Sequence, residues 1–184
     1  MRIVAGQYSS RRLKTLEGSA TRPTLDKVRE AVFSSLGGMF DGGSCLDLYA
    51  GSGAVGLEAL SRGMDRVYLV DSAWQAVKII HENVSSLKAD DQVQVLHMKD
   101  QAALNWFHEN GIRFDLVYLD PPYAKEHNEE VMKLLCTYDL LDSNAVIAVE
   151  SAKEDSHSDQ IESLTRIKDA VYGITRITYY RKVE

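Results

Sequence analysis

From about residue 44 onward, short apolar runs alternate with longer amphipathic stretches, and this alternation leaves few folds open to the chain. The apolar runs predict strands at residues 44–49, 66–70, 92–97, 114–119 and 144–149. Strands that alternate with helices form βαβ units, in which a parallel sheet is covered on both faces. The sequence therefore predicts an α/β protein built on a Rossmann-like sheet.

The stretch between the second and third predicted strands shows the helical pattern most clearly. Apolar side chains recur there at spacings of three and four, at Trp74, Val77, Ile80, Val84 and Leu87. This spacing places them on one face of a helix over residues 72–88. We therefore expect Trp74, and likewise Trp106, to be buried core residues rather than stacking platforms.

The two ends of the chain depart from this alternation. Residues 2–16 have the pattern of a small β-ribbon, and Thr24 can cap a helix that runs to about Leu36. Residues 165–183 have the pattern of two strands joined at Gly173, which predicts an antiparallel hairpin. Together with the five internal strands, the hairpin gives a mostly parallel, seven-stranded sheet with an antiparallel C-terminal end.

Charge is distributed unevenly along the chain, whose formal net charge is −6. Residues 1–29 contain seven basic side chains against Glu17 and Asp26, a net of +5, which leaves −11 for residues 30–184. A positive segment on an acidic body can engage phosphate groups at one face. A short basic stretch is also common as ordinary solvated surface, so charge alone leaves both interpretations open.

Several protein classes are disfavoured by what the sequence lacks. Apolar runs stay well short of the roughly 18 residues that a membrane span needs, and residues 1–12 have no apolar signal segment. Cys45 and Cys136 lie far apart without a CxxC pattern, and the five histidines show no metal-ligand spacing. We therefore expect a cytoplasmic protein that binds neither a metal ion nor a membrane.

A glycine motif follows the first predicted strand. Gly51, Gly53 and Gly56 form GxGxxG at a strand-to-helix turn, where glycine lets the backbone turn tightly and approach a ligand closely. Asp71 follows Gly51 by 20 residues, at the end of the second strand, where an acid can accept hydrogen bonds from ribose hydroxyls. This arrangement suits NAD and S-adenosylmethionine equally well.

Asp47 distinguishes between these two ligands. It lies inside an otherwise apolar strand, where an unpaired carboxylate would cost several kcal/mol and therefore needs dedicated donors. Amides of the glycine motif or a cationic ligand could serve. The NAD fingerprint usually has an apolar residue here, whereas an acid resembles the first motif of methyltransferases that use S-adenosylmethionine, which carries an ammonium and a sulfonium. Asp47 could alternatively be a satisfied structural acid.

A second motif, Asp120-Pro121-Pro122-Tyr123, directly follows the strand FDLVYL. Asp-Pro-Pro can simply end a strand, but ligands of open α/β sheets bind beyond the carboxyl ends of strands. The exocyclic amine of a nucleic-acid base is a poor nucleophile because its lone pair is delocalised into the ring. The Asp120 carboxylate and the Pro121 carbonyl could accept its hydrogens and free that lone pair, while Tyr123 could stack on the base.

Asp100 follows the third predicted strand and is a further candidate for the cofactor site. In a methyltransferase fold, an acid at this place could accept a hydrogen bond from the adenine amino group of the cofactor. The alternative is that Asp100 caps the helix containing Leu104 and Phe107, and one residue can do both.

These motifs together resemble one family. Residues 22–29 (RPTLDKVR), 46–63 and 120–123 are similar to the RsmD-type family of bacterial ribosomal RNA methyltransferases, and the similarity covers nearly the whole chain. The resemblance implies the S-adenosylmethionine-dependent methyltransferase fold in a single domain over residues 1–184, with a basic extension (1–40) and a catalytic sheet (41–184). It also implies S-adenosylmethionine as methyl donor, guanine N2 in small-subunit ribosomal RNA as acceptor, and ribosomal RNA or the small-subunit particle as partner.

The resemblance also implies roles for individual residues. The cofactor would be bound by Asp47, Tyr49, Ala50, Gly51, Ser52, Gly53, Gly56, Asp71 and Asp100. The target base would be held by Asp120, Pro121, Pro122 and Tyr123. RNA contacts, or the ordering of the site, would fall to Arg11, Arg12, Arg22 and Arg29. Arg22 and Arg29 could equally be structural ion-pair residues.

Three other functions explain parts of the sequence. A DNA methyltransferase acting on adenine N6 or cytosine N4 shares the Asp-Pro-Pro-Tyr motif, but generally needs an added target-recognition region for which 184 residues leave little room. An NAD-dependent oxidoreductase explains the glycines and Asp71 but leaves Asp47 and residues 120–123 without a role. A non-catalytic RNA-binding module explains the basic start but not the cofactor motifs.

Overall fold

The computed structural model describes residues 1–16, 23–122 and 125–183, and this part of the chain contains five α-helices and eight β-strands. The side chains of residues 23–25 and 125–126 lie outside that description, and with them the predicted capping role of Thr24. The chain divides into two compact units, Met1–Asp100 and Gln101–Glu184.

The first unit contains three helices and three strands. In chain order they are α1 (Pro23–Ser35), β1 (Ser44–Asp47), α2 (Ala54–Ser61), β2 (Arg66–Asp71), α3 (Trp74–Ser86) and β3 (Val93–His97). The strands form a parallel sheet in the order β3-β2-β1, with Leu46 opposite Tyr68 and Tyr68 opposite Gln94. Parallel pairing joined by helices is the βαβ arrangement that the sequence predicts.

Helix α3 confirms the predicted helix but corrects the position of one residue. Its buried face contains Ala76, Val77, Ile80, Asn83 and Val84. Trp74 is 61% exposed, so the prediction that it is a core residue is wrong. The helix begins at Trp74. The Trp74 indole does not enter the core but lies against the exposed ring of His97, with ring centroids 5.8 Å apart. Trp106 is partly buried.

Residues 1–16, which we call the N-terminal arm, are folded back on themselves as the β-ribbon pattern predicts, although only one bridge pair, Arg2 with Arg12, has strand geometry. The Ile3 amide donates to the Arg11 carbonyl and the Leu13 amide to the Met1 carbonyl, both at 3.0 Å. Ile3 and Leu13 are buried, which fixes the arm to the rest of the first unit.

The second unit contains the remaining elements. After α4 (Asp100–Glu109), which begins at the last residue of the first unit, come β4 (Phe114–Leu119), α5 (Lys125–Thr137), β5 (Leu141–Ala152), β6 (Gln160–Ile161), β7 (Leu164–Tyr172) and β8 (Thr175–Lys182). Strands β4 and β5 are parallel, and β5, β8, β7 and β6 follow one another with antiparallel pairing.

The predicted C-terminal hairpin is confirmed. Strands β7 and β8 are joined at Gly173, whose φ of +63° lies in the left-handed region that a tight turn uses. The strand count exceeds the predicted seven by β6, a two-residue strand that pairs only with Thr165 and Leu164. A strand this short has too few residues to show an alternating pattern in the sequence.

Candidate functional site

Asp47 ends β1 and begins the glycine turn, by which we mean residues 47–56. Its side chain is 2% exposed, and its Oδ2 atom accepts a hydrogen bond from the amide of Gly56 at 3.1 Å. The buried carboxylate is therefore held by an amide in the first turn of α2, where the helix dipole also favours negative charge. This is one of the donors that the sequence suggested for it.

Asp71 holds the centre of the same turn. Its Oδ2 atom accepts from the amide of Gly51 and its Oδ1 atom from the amide of Ala73, both at 2.9 Å. The carboxylate at the end of β2 is thus fixed by two backbone donors, and it remains partly exposed. Because each carboxylate oxygen can accept more than one hydrogen bond, this geometry leaves capacity for ligand hydroxyls.

Tyr49 and Asp100 form a third polar pair in the first unit. The Tyr49 hydroxyl donates to Oδ2 of Asp100 at 2.7 Å, and both side chains are partly exposed. Asp100 is also the first residue of α4, where a carboxylate is stabilised by the helix dipole. Acid and phenol therefore support each other just beyond the carboxyl end of β3, at the start of α4.

The three glycines of the motif differ in what surrounds them. A Cβ atom added at Gly51 would have no atom of the described chain within 4 Å, and Gly51 has a φ of +58°. A Cβ atom at Gly56 would lie 2.2 Å from Cδ2 of Leu69 and 2.9 Å from Cγ1 of Val67. Gly53 is the N-cap residue directly before α2 and has a φ of +85°. Gly56 thus serves helix–strand packing, whereas Gly51 presents its backbone to open space, as close approach to a ligand requires.

The other two predicted residues of the turn, Ala50 and Ser52, are fixed through their backbones. The Ala50 amide donates to the Val70 carbonyl at 2.8 Å, and the Ala50 carbonyl accepts from Gly53 at 2.7 Å. The Ser52 carbonyl accepts from the side-chain amide of Asn83 at 2.9 Å. The sequence did not identify Asn83, although a polar residue on the apolar face of α3, next to Val84, is the signal that could have done so.

Two of the predicted RNA-binding arginines, Arg11 and Arg12, are exposed on the N-terminal arm. Arg11 donates one hydrogen bond to the Ser86 carbonyl at 2.6 Å, which leaves most of its guanidinium donors directed elsewhere. Arg22 lies outside the described residues. Both described cations are therefore accessible from solvent.

Arg29 differs from the other predicted arginines. Its side chain is 5% exposed and pairs with Glu58 and Asp26, each at 3.1 Å. It also donates to the carbonyl of Arg2. This is the geometry of a structural ion pair, the alternative that the sequence left open, and it holds the N-terminal arm against α1 and α2.

Glu58 is a second residue that the sequence did not identify. It is fully buried, and its two carboxylate oxygens accept from the amides of Val4 and Ala5 and from the guanidinium groups of Arg29 and Arg62, at 2.8–3.1 Å. A buried carboxylate with four donors is stable because each lone pair is used. An acid in the otherwise apolar run AVGLEAL is the signal that could have revealed it.

The Asp-Pro-Pro-Tyr motif lies in the second unit. Asp120 directly follows the last residue of β4 and is exposed, Pro121 is buried and Pro122 is exposed. Tyr123 lies outside the described residues. Asp120 is therefore at the carboxyl end of a strand and accessible from solvent, as a residue that meets a substrate must be.

Cys45 is the one cysteine whose side chain is fully buried, and burial raises the pKa of its thiol well above the ordinary value. The negative charge of Asp47 raises the pKa of Cys45 further. Among the described residues, no cluster of three or more His, Cys, Asp and Glu side chains is arranged to hold a metal ion. No helix in this part of the chain has the length and apolar character needed to cross a membrane.

Residues 1–181 match the family model described as "Conserved hypothetical protein 95". The chain is 34% identical over 182 residues to the "Putative rRNA methyltransferase YlbH" of Bacillus subtilis (strain 168), with 99% of each chain covered. It is also 34% identical to the "Ribosomal RNA small subunit methyltransferase D" of Haemophilus influenzae, over 98% of this chain and 93% of that protein.

Solved structures show the same fold. The structure of the "Putative methyltransferase yhhF from Escherichia coli" matches with a TM-score of 0.84 and 31% identity, covering 99% of this chain and 97% of that one. At 13% identity and a TM-score of 0.62, the fold also recurs in "a putative methyltransferase complexed with SAH", over 86% of this chain and 49% of that one. The fold is that of S-adenosylmethionine-dependent methyltransferases.

Proposed function

The chain belongs to the RsmD-type family of ribosomal RNA methyltransferases, and from this premise we propose that it transfers the methyl group of S-adenosylmethionine to the exocyclic N2 amine of a guanine in small-subunit ribosomal RNA. We propose further that residues 1–184 act as one methyltransferase domain, with the RNA-facing extension in residues 1–40. A ribosomal acceptor implies that the reaction takes place in the cytoplasm.

The geometry of the glycine turn carries the cofactor proposal. Gly51 presents a bare backbone to open space, and Asp71, whose carboxylate fixes Gly51, remains partly exposed beside it. S-adenosylmethionine offers an ammonium group, a sulfonium, ribose hydroxyls and an adenine amine, all of which are cations or hydrogen-bond donors. Asp47, Asp71 and Asp100 match these groups because ionised carboxylates only accept hydrogen bonds.

When bound, S-adenosylmethionine supplies an electrophilic methyl group on a positively charged sulfur. The contribution of the chain is to hold it. The methionine part would contact backbone groups of the glycine turn, at Tyr49, Ala50, Ser52 and Gly53. Asp71 would accept hydrogen bonds from the ribose, and Asp100 would accept one from the adenine amine. The pairing of Asp100 with the Tyr49 hydroxyl supports this role, because it fixes the carboxylate in place before any ligand binds.

We assign the target amine to Asp120 and Pro121. The carboxylate and the adjacent carbonyl would accept the two hydrogens of the amine, which favours a pyramidal nitrogen with a free lone pair. Two prolines remove competing N–H donors and limit backbone motion, and Tyr123 would stack on the base. Asp120 need not be a strong base, because the nitrogen becomes acidic as its bond to the methyl carbon forms. The exposure of Asp120 at the end of β4 supports this assignment.

RNA binding is assigned to the exposed cations of the N-terminal arm. Arg11 and Arg12 are available for phosphate contacts, whereas Arg29 is committed to its ion pairs. Phosphate contacts position an RNA without reading its sequence. Recognition of the target guanine would therefore come from the base itself and from the shape of the ribosomal acceptor.

The experiment that tests the proposal is methyl transfer from labelled S-adenosylmethionine to four samples, namely naked small-subunit RNA, partly assembled small-subunit particles, duplex DNA and no acceptor. Mass spectrometry of the digested acceptor identifies the modified nucleoside. We expect N2-methylguanosine in RNA or in particles. Methylated adenine or cytosine in DNA would overturn the assignment of ribosomal RNA as the acceptor. Cofactor binding without transfer to any sample would overturn the proposed activity.

A further inference from the structure

Asn83 of α3 contacts both the N-terminal arm and the glycine turn. Its side-chain amide donates to the Lys14 carbonyl at 3.0 Å and to the Ser52 carbonyl at 2.9 Å, and its Oδ1 atom accepts from the Lys14 amide at 2.8 Å. The side chain is 1% exposed. One buried amide thus bonds the backbone of the segment assigned to RNA and the backbone of the turn assigned to the cofactor.

The partners of Asn83 also determine which way its amide points. The Lys14 N–H can only donate, and the Lys14 and Ser52 carbonyls can only accept, so oxygen and nitrogen cannot exchange places without losing all three bonds. A buried polar side chain costs free energy unless its hydrogen-bonding capacity is used. Both N–H donors of Asn83 are used, in a position that Val77, Ile80 and Val84 surround on the same helix face.

On the turn, Asn83 fixes one peptide plane. The Ser52 carbonyl is bonded to Asn83, and the Gly53 amide of the same peptide group donates to the Ala50 carbonyl at 2.7 Å. A peptide group that is bonded at both ends cannot rotate without losing a hydrogen bond. The orientation of the peptide between the first two glycines of the motif therefore depends on Asn83.

On the arm, Asn83 bonds both backbone groups of Lys14, directly after Arg11, Arg12 and Leu13. A side chain that pairs with an amide and a carbonyl of one residue fixes the chain direction there as a neighbouring strand would. A further hydrogen bond joins the two segments, because the Ser52 hydroxyl donates to the sulfur of Met1 at 3.8 Å.

Resting on the proposed function, we propose that Asn83 is a positioning residue that couples RNA binding by the N-terminal arm to cofactor binding by the glycine turn. An arm held in place by RNA keeps Asn83 bonded to Lys14, which leaves its second N–H directed at Ser52. The ordered turn favours the docked arm in return, because coupling between two binding sites is reciprocal. Asn83 itself contacts neither RNA nor cofactor.

The test measures the dissociation constant of S-adenosylhomocysteine with and without the acceptor that supports methyl transfer. In the unaltered protein we expect the acceptor to tighten binding about fivefold or more. Asn83→Asp keeps the size of the side chain and the acceptor for the Lys14 amide, but it loses both donated bonds. We expect binding of acceptor and of S-adenosylhomocysteine each to weaken about tenfold, and the ratio with and without acceptor to fall to about one.

Ser61→Ala is the matched control. Ser61 also holds the arm, accepting from the Tyr8 amide at 2.9 Å and donating to the Ala5 carbonyl at 2.6 Å, but it lies at the end of α2, outside the glycine turn. We expect weaker acceptor binding with the coupling ratio unchanged. An unchanged ratio in Asn83→Asp, or a weakening of acceptor binding alone, would overturn the proposal.

Hydrogen exchange in the unaltered protein tests the same coupling without the Asn83 variant. Addition of S-adenosylhomocysteine alone should slow amide exchange in residues 12–15, which include the Lys14 amide bonded to Asn83. Unchanged exchange there, with the ligand bound, would contradict the coupling. Failure of the unaltered protein to bind S-adenosylhomocysteine or to methylate any acceptor would instead overturn the proposed function.

Discussion

Asp71 orients Gly51: the Oδ2 atom of the acid at the end of β2 accepts the amide of the first glycine in the motif at 2.9 Å. The sequence assigns Asp71 to a ligand, whereas the structure shows that it also determines the conformation of the backbone that the ligand would meet. Asp71 therefore both fixes the backbone of the glycine turn and provides a negative charge beside it. Residues of this kind are sensitive even to nearly isosteric replacement, because the hydrogen-bonding pattern changes while the size does not.

Asp71→Asn should weaken S-adenosylhomocysteine binding by about tenfold or more. The amide group can accept from only one of the two backbone donors, so its NH₂ faces either Gly51 or Ala73, donor against donor. Isothermal titration calorimetry measures the change. Asp91→Asn, an exposed acid before β3, is the control and should bind as the unaltered protein does. Unchanged affinity in Asp71→Asn would refute the role of Asp71 in the site.

Much of the fold could be predicted because its signals are local. Apolar runs predicted the strands that end at Asp47 and Asp71 to within two residues, and the helix α3 followed from spacing alone. The turn at Gly173 was predictable because glycine between two β-prone runs adopts the left-handed conformation that the hairpin needs.

The remaining features depend on packing between segments that are distant in sequence. Spacing placed Trp74 on the apolar face of α3, but spacing does not show that the first residue of a helix can lie beyond the core. Glu58 and Asn83 stand out in the sequence only as polar residues within apolar stretches of helices. Their importance follows from partners 53 to 69 positions away, such as Ala5 and Lys14, which no local pattern reveals.

Gly51→Ala should mainly weaken ligand binding, whereas Gly56→Ala should mainly destabilise the fold. The methyl group at Gly51 would enter open space at a cost of about 1 kcal/mol for the positive φ, but it should reduce S-adenosylhomocysteine affinity at least tenfold. The methyl group at Gly56 would meet the buried Leu69 and Val67 and should lower the free energy of unfolding by about 1–3 kcal/mol. Urea unfolding measures the stability of both variants, and ligand titration measures their affinity. Equal losses of affinity and stability in both variants would contradict the separate roles of Gly51 in ligand approach and Gly56 in packing.

Arg29→Ala should destabilise the protein by about 3–5 kcal/mol, because it leaves the carboxylate of Glu58 buried with one cation fewer. Arg12→Ala should leave stability unchanged and instead weaken RNA binding, with the slope of log affinity against log salt reduced by about one. Urea unfolding and filter binding at several salt concentrations provide the two measurements. Normal stability together with weak RNA binding in the Arg29 variant would contradict the structural role and show that Arg29 contacts RNA.

Cys45 should be unreactive in the folded protein. Burial, and secondarily the charge of Asp47, raises the pKa of Cys45, so the reactive thiolate stays scarce even at about pH 9, where a free thiol is largely ionised. A Cys136→Ala variant, in which Cys45 is the sole cysteine, should therefore react with a chromogenic disulfide reagent only after unfolding in urea. Rapid reaction of the native variant would show that the thiol is accessible and could act as a nucleophile.

Paired reactions with the unaltered protein and with Asp120→Ala, each followed by analysis of the methylated nucleoside, test both the proposed product and the proposed site. We expect N2-methylguanosine in ribosomal RNA or particles with the unaltered protein. For Asp120→Ala we expect a loss of at least a hundredfold in turnover, with S-adenosylhomocysteine affinity intact. Glu154→Gln, an exposed acid beyond β5, should retain full activity. Near-normal formation of N2-methylguanosine by Asp120→Ala would contradict the role assigned to Asp120.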